Sequence, residues 1–288
     1  MAMHVMAIAS TKGGVGKTTT AANLGGIAAD AGLRVLLADL DIQPALSSYF
    51  QLEWRAPFGI YELLAFNESR LDELICHTRI RHLDLVLSND EQNQLNTLLL
   101  HAPDGRLRLR NLLSVFSPHY DLMLIDTQGA RSALLETAIL ASDAVLSPVT
   151  PEVLAARELQ RGTLKLINDL APYQHLGIPR PTLHILINRV HSVSANARLI
   201  QYSLRQVFDA QPGIQVLNTT VPAIEAYPRA ATQWQAVHRV EPRCPVGRVA
   251  PAALETMRSL ACELFPQWQA RFKGVSVKKH ERSGHANI

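Results

Sequence analysis

The sequence predicts an α/β fold of the P-loop NTPase type, with a doubly wound, mostly parallel β-sheet flanked by helices. Two observations lead to this prediction. Short apolar runs alternate with longer stretches of helical periodicity, which indicates a parallel sheet covered on both faces. The apolar run at residues 4–10 is followed by a glycine-rich loop, Lys12–Thr19. A strand, a glycine loop and a helix in this order are typical of phosphate-binding folds.

The remaining elements follow in a regular order along the chain. Further strands are predicted at 34–39, 83–88, 121–126, 144–148 and 183–188, with a weaker one near 215–218. Helices are predicted near 18–31, 69–76, 91–100, 131–141, 152–170, 195–208 and 250–265. We therefore expect a single P-loop domain over residues 1–270, followed by a basic, mobile tail over residues 271–288.

Composition limits the class of protein. The chain has 288 residues, of which 47% are hydrophobic and 18% charged, enough for a full core. It contains no apolar run of the length needed to span a membrane. The first strand begins so close to Met1 that we expect no signal peptide, and three scattered cysteines fit a reducing cytoplasm. The net charge of +3 is concentrated in the tail, which has five basic residues and one acid.

The loop Lys12–Thr19 predicts the ligand most directly. Its glycines leave room for backbone N–H groups to turn inward around phosphate oxygens. Lys17 is expected to reach the β- and γ-phosphates, and the hydroxyl of Thr18 to bind Mg²⁺. The positive N-terminus of the following helix would face the same anion. The predicted nucleotide-binding residues of this loop are Lys12, Gly13, Gly14, Val15, Gly16, Lys17, Thr18 and Thr19.

Acidic residues end two of the other predicted strands. Asp39 and Asp41 lie two residues apart and should face the same side. One carboxylate there could orient a water for attack on the γ-phosphate or help to bind Mg²⁺, and we favour Asp41 because it lies just beyond the strand. Asp126 ends an apolar run in a Walker B pattern and is expected to bind Mg²⁺. The loop Thr127–Ala130 could then sense the γ-phosphate.

These residues resemble the ParA/Soj partition ATPases, within the ParA/MinD family of ATPases with a deviant P-loop. The segments that carry the resemblance occur in the family's order between residues 4 and 265. They are Lys12–Thr19, Asp39–Pro44, Gly59–Leu64, Asp84–Asn89, Tyr120–Asp126, Ser147–Glu152 and Leu186–Arg189.

The resemblance implies roles for individual residues. Lys12 matches the family's signature lysine, which crosses a dimer interface to the partner's ATP. Asn188 matches a position that contacts adenine, and Val221–Pro222 matches a segment that lines the base. The family's guanine-reading motif is absent from the sequence, which favours ATP over GTP. The implied catalytic residues are Lys12, Lys17 and Asp41, and the implied Mg²⁺ site comprises Thr18, Asp41 and Asp126.

The sequence also departs from the family at three points. Gln128–Gly129 stands where the family often has two prolines, which bears on the hydrolysis rate. Ala223 stands where many members carry an arginine that contributes to DNA binding. Larger plasmid relatives carry an N-terminal DNA-reading domain, and none is expected here because eleven residues precede Lys12.

The resemblance further implies an ATP-dependent homodimer that binds DNA without sequence preference in a bacterial, nucleoid-associated setting. A ParB-like partner would stimulate hydrolysis that is slow on its own. Arg198 and Arg205, seven residues apart on one helix, and Arg229 are the candidate DNA contacts. The tail has no apolar face to insert into a membrane. The alternative is a positioning ATPase with a protein cargo. A reductase of the nitrogenase iron-protein type is not supported, because no cysteine lies near Asp126.

Overall fold

The computed structural model describes residues 2–152, 154–191, 195–208 and 210–276. Over these ranges the strands are β1 (His4–Ile8), β2 (Val35–Leu40), β3 (Leu52–Trp54), β4 (Cys76–Thr78), β5 (Leu83–Val86), β6 (Leu122–Thr127), β7 (Ala144–Val149), β8 (Thr182–Ile187) and β9 (Ile214–Val216). The α-helices of the same ranges are α1 (Lys17–Asp30), α2 (Ile60–Phe66), α3 (Leu71–Leu74), α4 (Gln94–His101), α5 (Arg108–Phe116), α6 (Ala133–Ala141), α7 (Ala155–Leu159), α8 (Lys165–Asp169), α9 (Ala195–Phe208), α10 (Ala226–Thr232), α11 (Val237–Val240), α12 (Ala253–Leu264) and α13 (Gln269–Gly274).

The strands form one sheet in the order β3-β4-β5-β2-β6-β1-β7-β8-β9. From β5 to β9 all neighbours in this order are parallel. At the other edge β4 and β3 add in antiparallel fashion. The predicted doubly wound, mostly parallel sheet is thereby confirmed. Each predicted strand is present with ends that differ by at most two residues, whereas β3 and β4 were not predicted.

Side chains of the central strands lie in two separate apolar cores. In β1, Val5 and Ala7 belong to one core, and Met6 and Ile8 belong to the other. Residues of α2–α9 complete the first core, and residues of α1 and α10–α13 complete the second. Because both faces of the sheet are covered, its strands are apolar without alternation.

Helix α1 packs unusually close to its neighbours because it contains two adjacent glycines. A Cβ atom at Gly25 would lie 2.8 Å from Cδ2 of Leu37, and one at Gly26 would lie 2.4 Å from Cβ of Ala236. This close packing fixes the second half of α1 against β2 and against the residue that precedes α11.

The helical regions differ from the prediction in several places, since helices α2, α5, α10, α11 and α13 were not predicted. The helix predicted at 152–170 consists of α7, a π-helical turn at Gln160–Leu164, and α8; Val153 lies outside the described residues. Helix α13 continues past the predicted domain boundary at residue 270, with Phe272 and Val275 buried. The tail residues 277–288 lie outside the described ranges, so a separate tail stays a prediction.

None of the described helices is both long and apolar enough to cross a lipid bilayer.

Parallel strands place all their carboxyl ends at one edge of the sheet, where ligands bind in such folds. The loop Lys12–Thr19 follows β1, Asp39 lies near the end of β2, Asp126 near the end of β6, and Asn188 directly follows β8. The topology therefore brings residues from four distant parts of the chain to one edge.

Candidate nucleotide-binding site

The glycine loop connects β1 to α1 and requires glycine at two positions. Gly14 has a φ of 72° and Gly16 a φ of 92°, in the left-handed region that glycine adopts without strain. Gly16 caps α1, and its carbonyl accepts a hydrogen bond of 2.8 Å from the hydroxyl of Thr20. The backbone is therefore shaped as a phosphate-binding loop, with the N-terminus of α1 directed at the site.

Lys17 is the first residue of α1 and is almost completely buried, with 7% of its surface exposed. Burial lowers the pKa of this ammonium group, and the nearby Asp126 and Asp41 oppose the shift. A buried cation that faces two carboxylates is suited to a polyanionic ligand, because the ligand's charge would stabilise the ammonium group further.

Asp39 and Asp126 are paired neighbours on β2 and β6, and both are fully buried. The Asp39 carboxylate is fully engaged in its own loop. It accepts hydrogen bonds from the backbone and hydroxyl of Ser47, both 2.7 Å, and from the backbone of Asp41 at 3.2 Å. Burial raises the pKa of Asp39 to about 6. Asp39 thus shapes the loop that carries Asp41.

The Asp126 carboxylate has an unsatisfied oxygen. Its Oδ1 atom accepts a hydrogen bond from the backbone of Thr127, while Oδ2 is buried and has no partner among the described residues. Burial first, and then repulsion by Asp39, raise the pKa of Asp126 to about 8 against the opposing effects of Thr18 and Lys17. A divalent cation would favour the ionised carboxylate and satisfy Oδ2.

These residues fit Mg²⁺ of the kind that accompanies a nucleotide. No group of three or more His, Cys, Asp or Glu within the described ranges is arranged to bind a metal alone. Mg²⁺ in phosphate sites, however, takes one or two protein ligands and completes its shell with water and phosphate oxygens. Thr18 and Asp126, which lie near each other, could supply such ligands.

The carboxylate of Asp41 accepts fewer hydrogen bonds than that of Asp39 and is more exposed. It lies one residue beyond β2, is partly exposed, and accepts one hydrogen bond of 3.0 Å from the backbone of Gln43 through Oδ1. Its carbonyl accepts a 2.6 Å hydrogen bond from Ser88, which anchors the loop to the end of β5. The backbone at Asp41 is therefore fixed, and its carboxylate lies close enough to Lys17 to oppose the lowering of that residue's pKa.

The loop after β6 touches the glycine loop directly. A Cβ atom at Gly129 would lie 2.8 Å from Cα of Gly13 and 3.3 Å from Nζ of Lys17. The hydroxyl of Thr127 donates to the carbonyl of Ile8 at 2.9 Å, which ties this loop to β1. Gln128 is partly exposed beside these contacts. A change in the phosphates bound by the glycine loop, such as loss of the γ-phosphate, would therefore alter the contacts of the Thr127–Ala130 loop.

A cavity of about 460 Å³ adjoins the glycine loop, a volume that suits a small-molecule ligand. It brings together the residues predicted to contact the base, and it adds side chains from α10 and α12 that the sequence did not suggest. Its lining includes Gly16, Thr19, Asn188, Val221, Pro222, Tyr227 and Met257.

Asn188 is held in one orientation at the entrance to this cavity. Its Nδ2 atom donates to the carbonyl of Val15 at 2.7 Å, and its Oδ1 atom accepts from the backbone of Arg189 at 2.9 Å. One N–H and one lone pair of the amide remain for a ligand. The opposite wall is tied to the same strand end, since the backbone of Val190 donates to the carbonyl of Val221.

Lys12 lies in different surroundings from Lys17. Its Nζ atom pairs with Glu152 at 2.7 Å and with Glu158 at 2.8 Å, and 35% of its side chain is exposed. The hydrogen bonds that its ammonium group donates to these two carboxylates raise its pKa. Glu158 lies on α7, and no local feature of the sequence indicates its contact with Lys12.

Among the candidate DNA contacts, Arg198 and Arg229 are exposed on α9 and α10. Arg205, by contrast, donates to the carbonyl of Leu217 at 2.8 Å and to Oδ1 of Asn218 at 3.1 Å. Its guanidinium group is therefore partly occupied in joining α9 to the end of β9.

The fold and the site together define a P-loop nucleotide-binding protein. Residues 3–175, more than half of the chain, match the family model AAA_31, described as an AAA domain. The chain belongs to this family and is a P-loop ATPase of the ParA/MinD type.

Two named bacterial proteins are similar in sequence to part of this chain. The chain is 34% identical over 161 residues to the chromosome partitioning protein ParA of Myxococcus xanthus, covering 56% of each chain. It is 32% identical over 167 residues to the sporulation initiation inhibitor protein Soj of Bacillus subtilis, covering 57% of this chain and 65% of that one. The similarity thus spans less than two thirds of either relative.

Solved structures share the fold over most of the chain. An apo structure of McdA from Cyanothece has a TM-score of 0.72 at 22% identity and covers 95% of this chain and 98% of that chain. A plasmid partition protein from Borrelia burgdorferi bound to AMPPNP has a TM-score of 0.64 at 25% identity and covers 83% and 95%. Cobyrinic acid a,c-diamide synthase from Mycobacterium smegmatis, with ADP and magnesium, has a TM-score of 0.68 at 25% identity and covers 81% and 91%. Nucleotide and Mg²⁺ are therefore ligands of this fold, which serves more than one kind of enzyme.

Replacing Gly16 with alanine is expected to weaken ATP binding by about tenfold or more, which corresponds to 1.4 kcal/mol. The new Cβ would lie 2.4 Å from Nδ2 of Asn188, and the φ of 92° is strained for alanine. Affinity for a fluorescent ATP analogue would measure the effect.

Gly32→Ala is the matched control, because Gly32 also has a positive φ but no atom within 4 Å of its Cβ position. It should lower stability by about 1–2 kcal/mol and leave ATP affinity unchanged. Equal affinity in the Gly16 variant and the wild type would mean that Asn188 and the loop tolerate a side chain.

Proposed function

We propose that this chain is a DNA-partition ATPase of the bacterial cytoplasm. In this proposal ATP joins two copies into a homodimer, and the dimer binds nucleoid DNA without sequence preference. A ParB-like partner then stimulates hydrolysis, and the dimer releases the DNA. Without the partner, turnover is slow.

The different surroundings of the two loop lysines carry this proposal. Lys17 is buried between carboxylates at the phosphate site, whereas Lys12 lies at the surface against Glu152 and Glu158. A second lysine outside the site has no evident use for the chain's own nucleotide. It suits a role at the nucleotide of a second copy, which is the role that the ParA resemblance implies.

In this proposal each site residue has a separate role in ATP binding or hydrolysis. Backbone N–H groups of Gly13–Gly16 cradle the phosphates, and Lys17 neutralises charge that develops on them. Thr18 and Asp126 bind Mg²⁺, and Asp41 orients the attacking water. When bound, Mg²⁺ stabilises negative charge on the β- and γ-phosphate oxygens.

The free groups of Asn188 support ATP as the nucleotide. The unused N–H and lone pair of its fixed amide match the N7 acceptor and N6 donor of adenine. Guanine presents two acceptors along the same edge, so the lone pair would face another acceptor. Val221 and Pro222 complete the wall beside the base.

DNA binding is supported by the exposed arginines and by the names of the relatives. Arg198 and Arg229 are exposed on α9 and α10, where solvent and phosphates can reach them. Phosphate contacts are enough for binding without sequence preference.

A second candidate, a positioning ATPase with a protein cargo, is favoured by one observation. Helix α9 exposes three large apolar side chains, Leu199, Tyr202 and Val207. Leu199 and Tyr202, three residues apart, share one face of the helix, and exposed apolar patches mark sites of protein contact.

Binding to a random-sequence DNA duplex with ATP, with ADP and without nucleotide tests the proposal. We expect tight binding with ATP alone, falling steeply with salt concentration. Arg198→Ala and Arg229→Ala should each weaken binding and lower the slope of log affinity against log salt by about one.

Arg81→Ala is the control, because Arg81 is exposed but precedes β5 at the opposite edge of the sheet. Loss of ATP-dependent DNA binding at every salt concentration, with ATP binding intact, would exclude partition of DNA and favour the protein cargo.

A further inference from the structure

We propose that Glu152 and Glu158 are positioning residues that keep Lys12 on its own chain until a second copy competes for it. Their contacts would then set the protein concentration at which ATP produces a dimer. In one respect this inference rests on the proposed function, namely that Lys12 acts at the nucleotide of the other copy.

The first observation is the double pairing of Lys12. Its Nζ atom lies 2.7 Å from Oε2 of Glu152 and 2.8 Å from Oε2 of Glu158. One ammonium group thereby bridges two carboxylates, and Glu152 is itself oriented by a 2.8 Å hydrogen bond from the hydroxyl of Thr150. If Lys12 left, the two carboxylates would remain close together and repel each other. This repulsion favours the return of the lysine.

The second observation is that the helical segment that carries Glu158 also binds the residue before Lys12. The backbone N–H of Thr11 donates to the hydroxyl of Thr163 at 3.2 Å. Gly162 allows this approach, since a Cβ atom there would lie 1.9 Å from the hydroxyl oxygen of Thr11. Thr11 and Lys12 are therefore both held by one segment of chain.

The π-helical turn Gln160–Leu164 explains how one helix reaches both residues. It lies between α7, which carries Glu158, and α8, and it contains both Gly162 and Thr163. A π turn inserts an extra residue into a helix and shifts the side chains on either side of it. Such turns recur at functional sites, and here the turn packs on the loop that bears Lys12.

The pairing is also weak enough to be exchanged. The exposed fractions are 35% for the Lys12 side chain, 57% for Glu152 and 42% for Glu158, so solvent screens both ion pairs. The triphosphate of a second copy carries more charge and could replace both carboxylates. Exchange of this kind makes Lys12 available only when a partner with ATP is present.

The reactivity of Lys12 towards an acylating reagent tests the positioning contact by itself. The measurement uses the full chain with ADP, at concentrations where it is monomeric, with peptide mass spectrometry as the readout. In the double variant Glu152→Gln, Glu158→Gln, Lys12 should be acylated about three- to tenfold faster than in the wild type. Lys165, which is exposed on α8, is the internal reference and should not change. Equal Lys12 rates would overturn the proposal.

The concentration dependence of ATP-driven dimerisation tests the consequence. The double variant should dimerise at about a tenfold lower protein concentration, and should lose this advantage when combined with Lys12→Ala. A weaker dimer in the double variant would show that the acids support the interface and would overturn the proposal.

The two experiments test separate claims, so a negative result in one does not decide the other. A wild-type chain that does not dimerise with ATP would contradict the proposed function, while the acylation result would still decide whether Glu152 and Glu158 position Lys12.

Discussion

Replacing Lys17 with alanine is expected to reduce ATP hydrolysis by about 100- to 1,000-fold. The ammonium group is buried at the start of α1, where it faces Asp126 and Asp41. An uncharged alanine would leave these carboxylates and the phosphates without their nearest cation. Binding of ATP should weaken together with turnover, because the same charge stabilises the ground state and the transition state.

Lys17→Ala should nevertheless fold. Burial already lowers the pKa of Lys17, so the cation is costly to keep in the protein interior, and its removal also removes that cost. Circular dichroism and thermal unfolding would establish that the variant is native.

Lys165→Ala is the matched control for this prediction. Lys165 is one of the few other lysines of the chain, and it is exposed on α8 at a position outside the glycine loop sequence. It should hydrolyse ATP at the wild-type rate. If Lys17→Ala retained more than about a tenth of the activity, the phosphate site would have to lie elsewhere.

The central sheet was predictable because its strands carry their signal locally. Burial on both faces makes β1, β2, β6 and β7 continuous apolar runs, and such runs need no knowledge of their neighbours. Strands β3 and β4 contain three residues each, and only the pairing of β4 with β5 and of β3 with β4 defines them. No periodicity can be read from three residues.

Among the helices that were not predicted, α5 had a visible signal in the sequence. In α5 the apolar residues Leu109, Leu112, Leu113 and Phe116 recur at helical spacing, and Leu109 and Phe116 are buried in the structure. Helix α10 is a different case, since it is short and contains Pro228, which argues against a helix in most positions.

The site shows the same division between local and distant signals. The glycine loop and the acids at strand ends are contiguous patterns, so the sequence places them well. The contact of Glu152 with Lys12 joins residues 140 positions apart, and nothing near either residue indicates it. The commitment of Asp39 to Ser47 likewise appears only when the loop after β2 is folded.

The hydrogen bonds between Asp39 and Ser47 assign different roles to the two acids near the end of β2, Asp39 and Asp41. The sequence alone could not distinguish these roles. Asp41→Ala is expected to lower turnover by about 100-fold or more, with ATP binding and the melting temperature nearly unchanged. The carboxylate of Asp41 is partly exposed and accepts a single hydrogen bond within its loop, from Gln43. Little of the fold depends on it, whereas the orientation of the attacking water would.

Asp39→Ala should give the opposite result. The change would leave the backbone N–H and the hydroxyl of the partly buried Ser47 without their acceptor, at a total cost of about 1–3 kcal/mol. Removal of the repulsion between Asp39 and Asp126 would offset part of this loss. We therefore expect a lower melting temperature, with activity reduced only as far as the loop that carries Asp41 becomes disordered.

Thermal unfolding, ATP affinity and single-turnover hydrolysis, measured side by side, distinguish the two variants. A native Asp41→Ala protein that binds ATP but does not hydrolyse it would support the orienting role and would provide a stable ATP-bound dimer. If Asp41→Ala hydrolysed ATP at the wild-type rate, the water would have to be oriented by another group, and Gln128, which precedes Gly129 at the glycine loop, would be the next residue to replace.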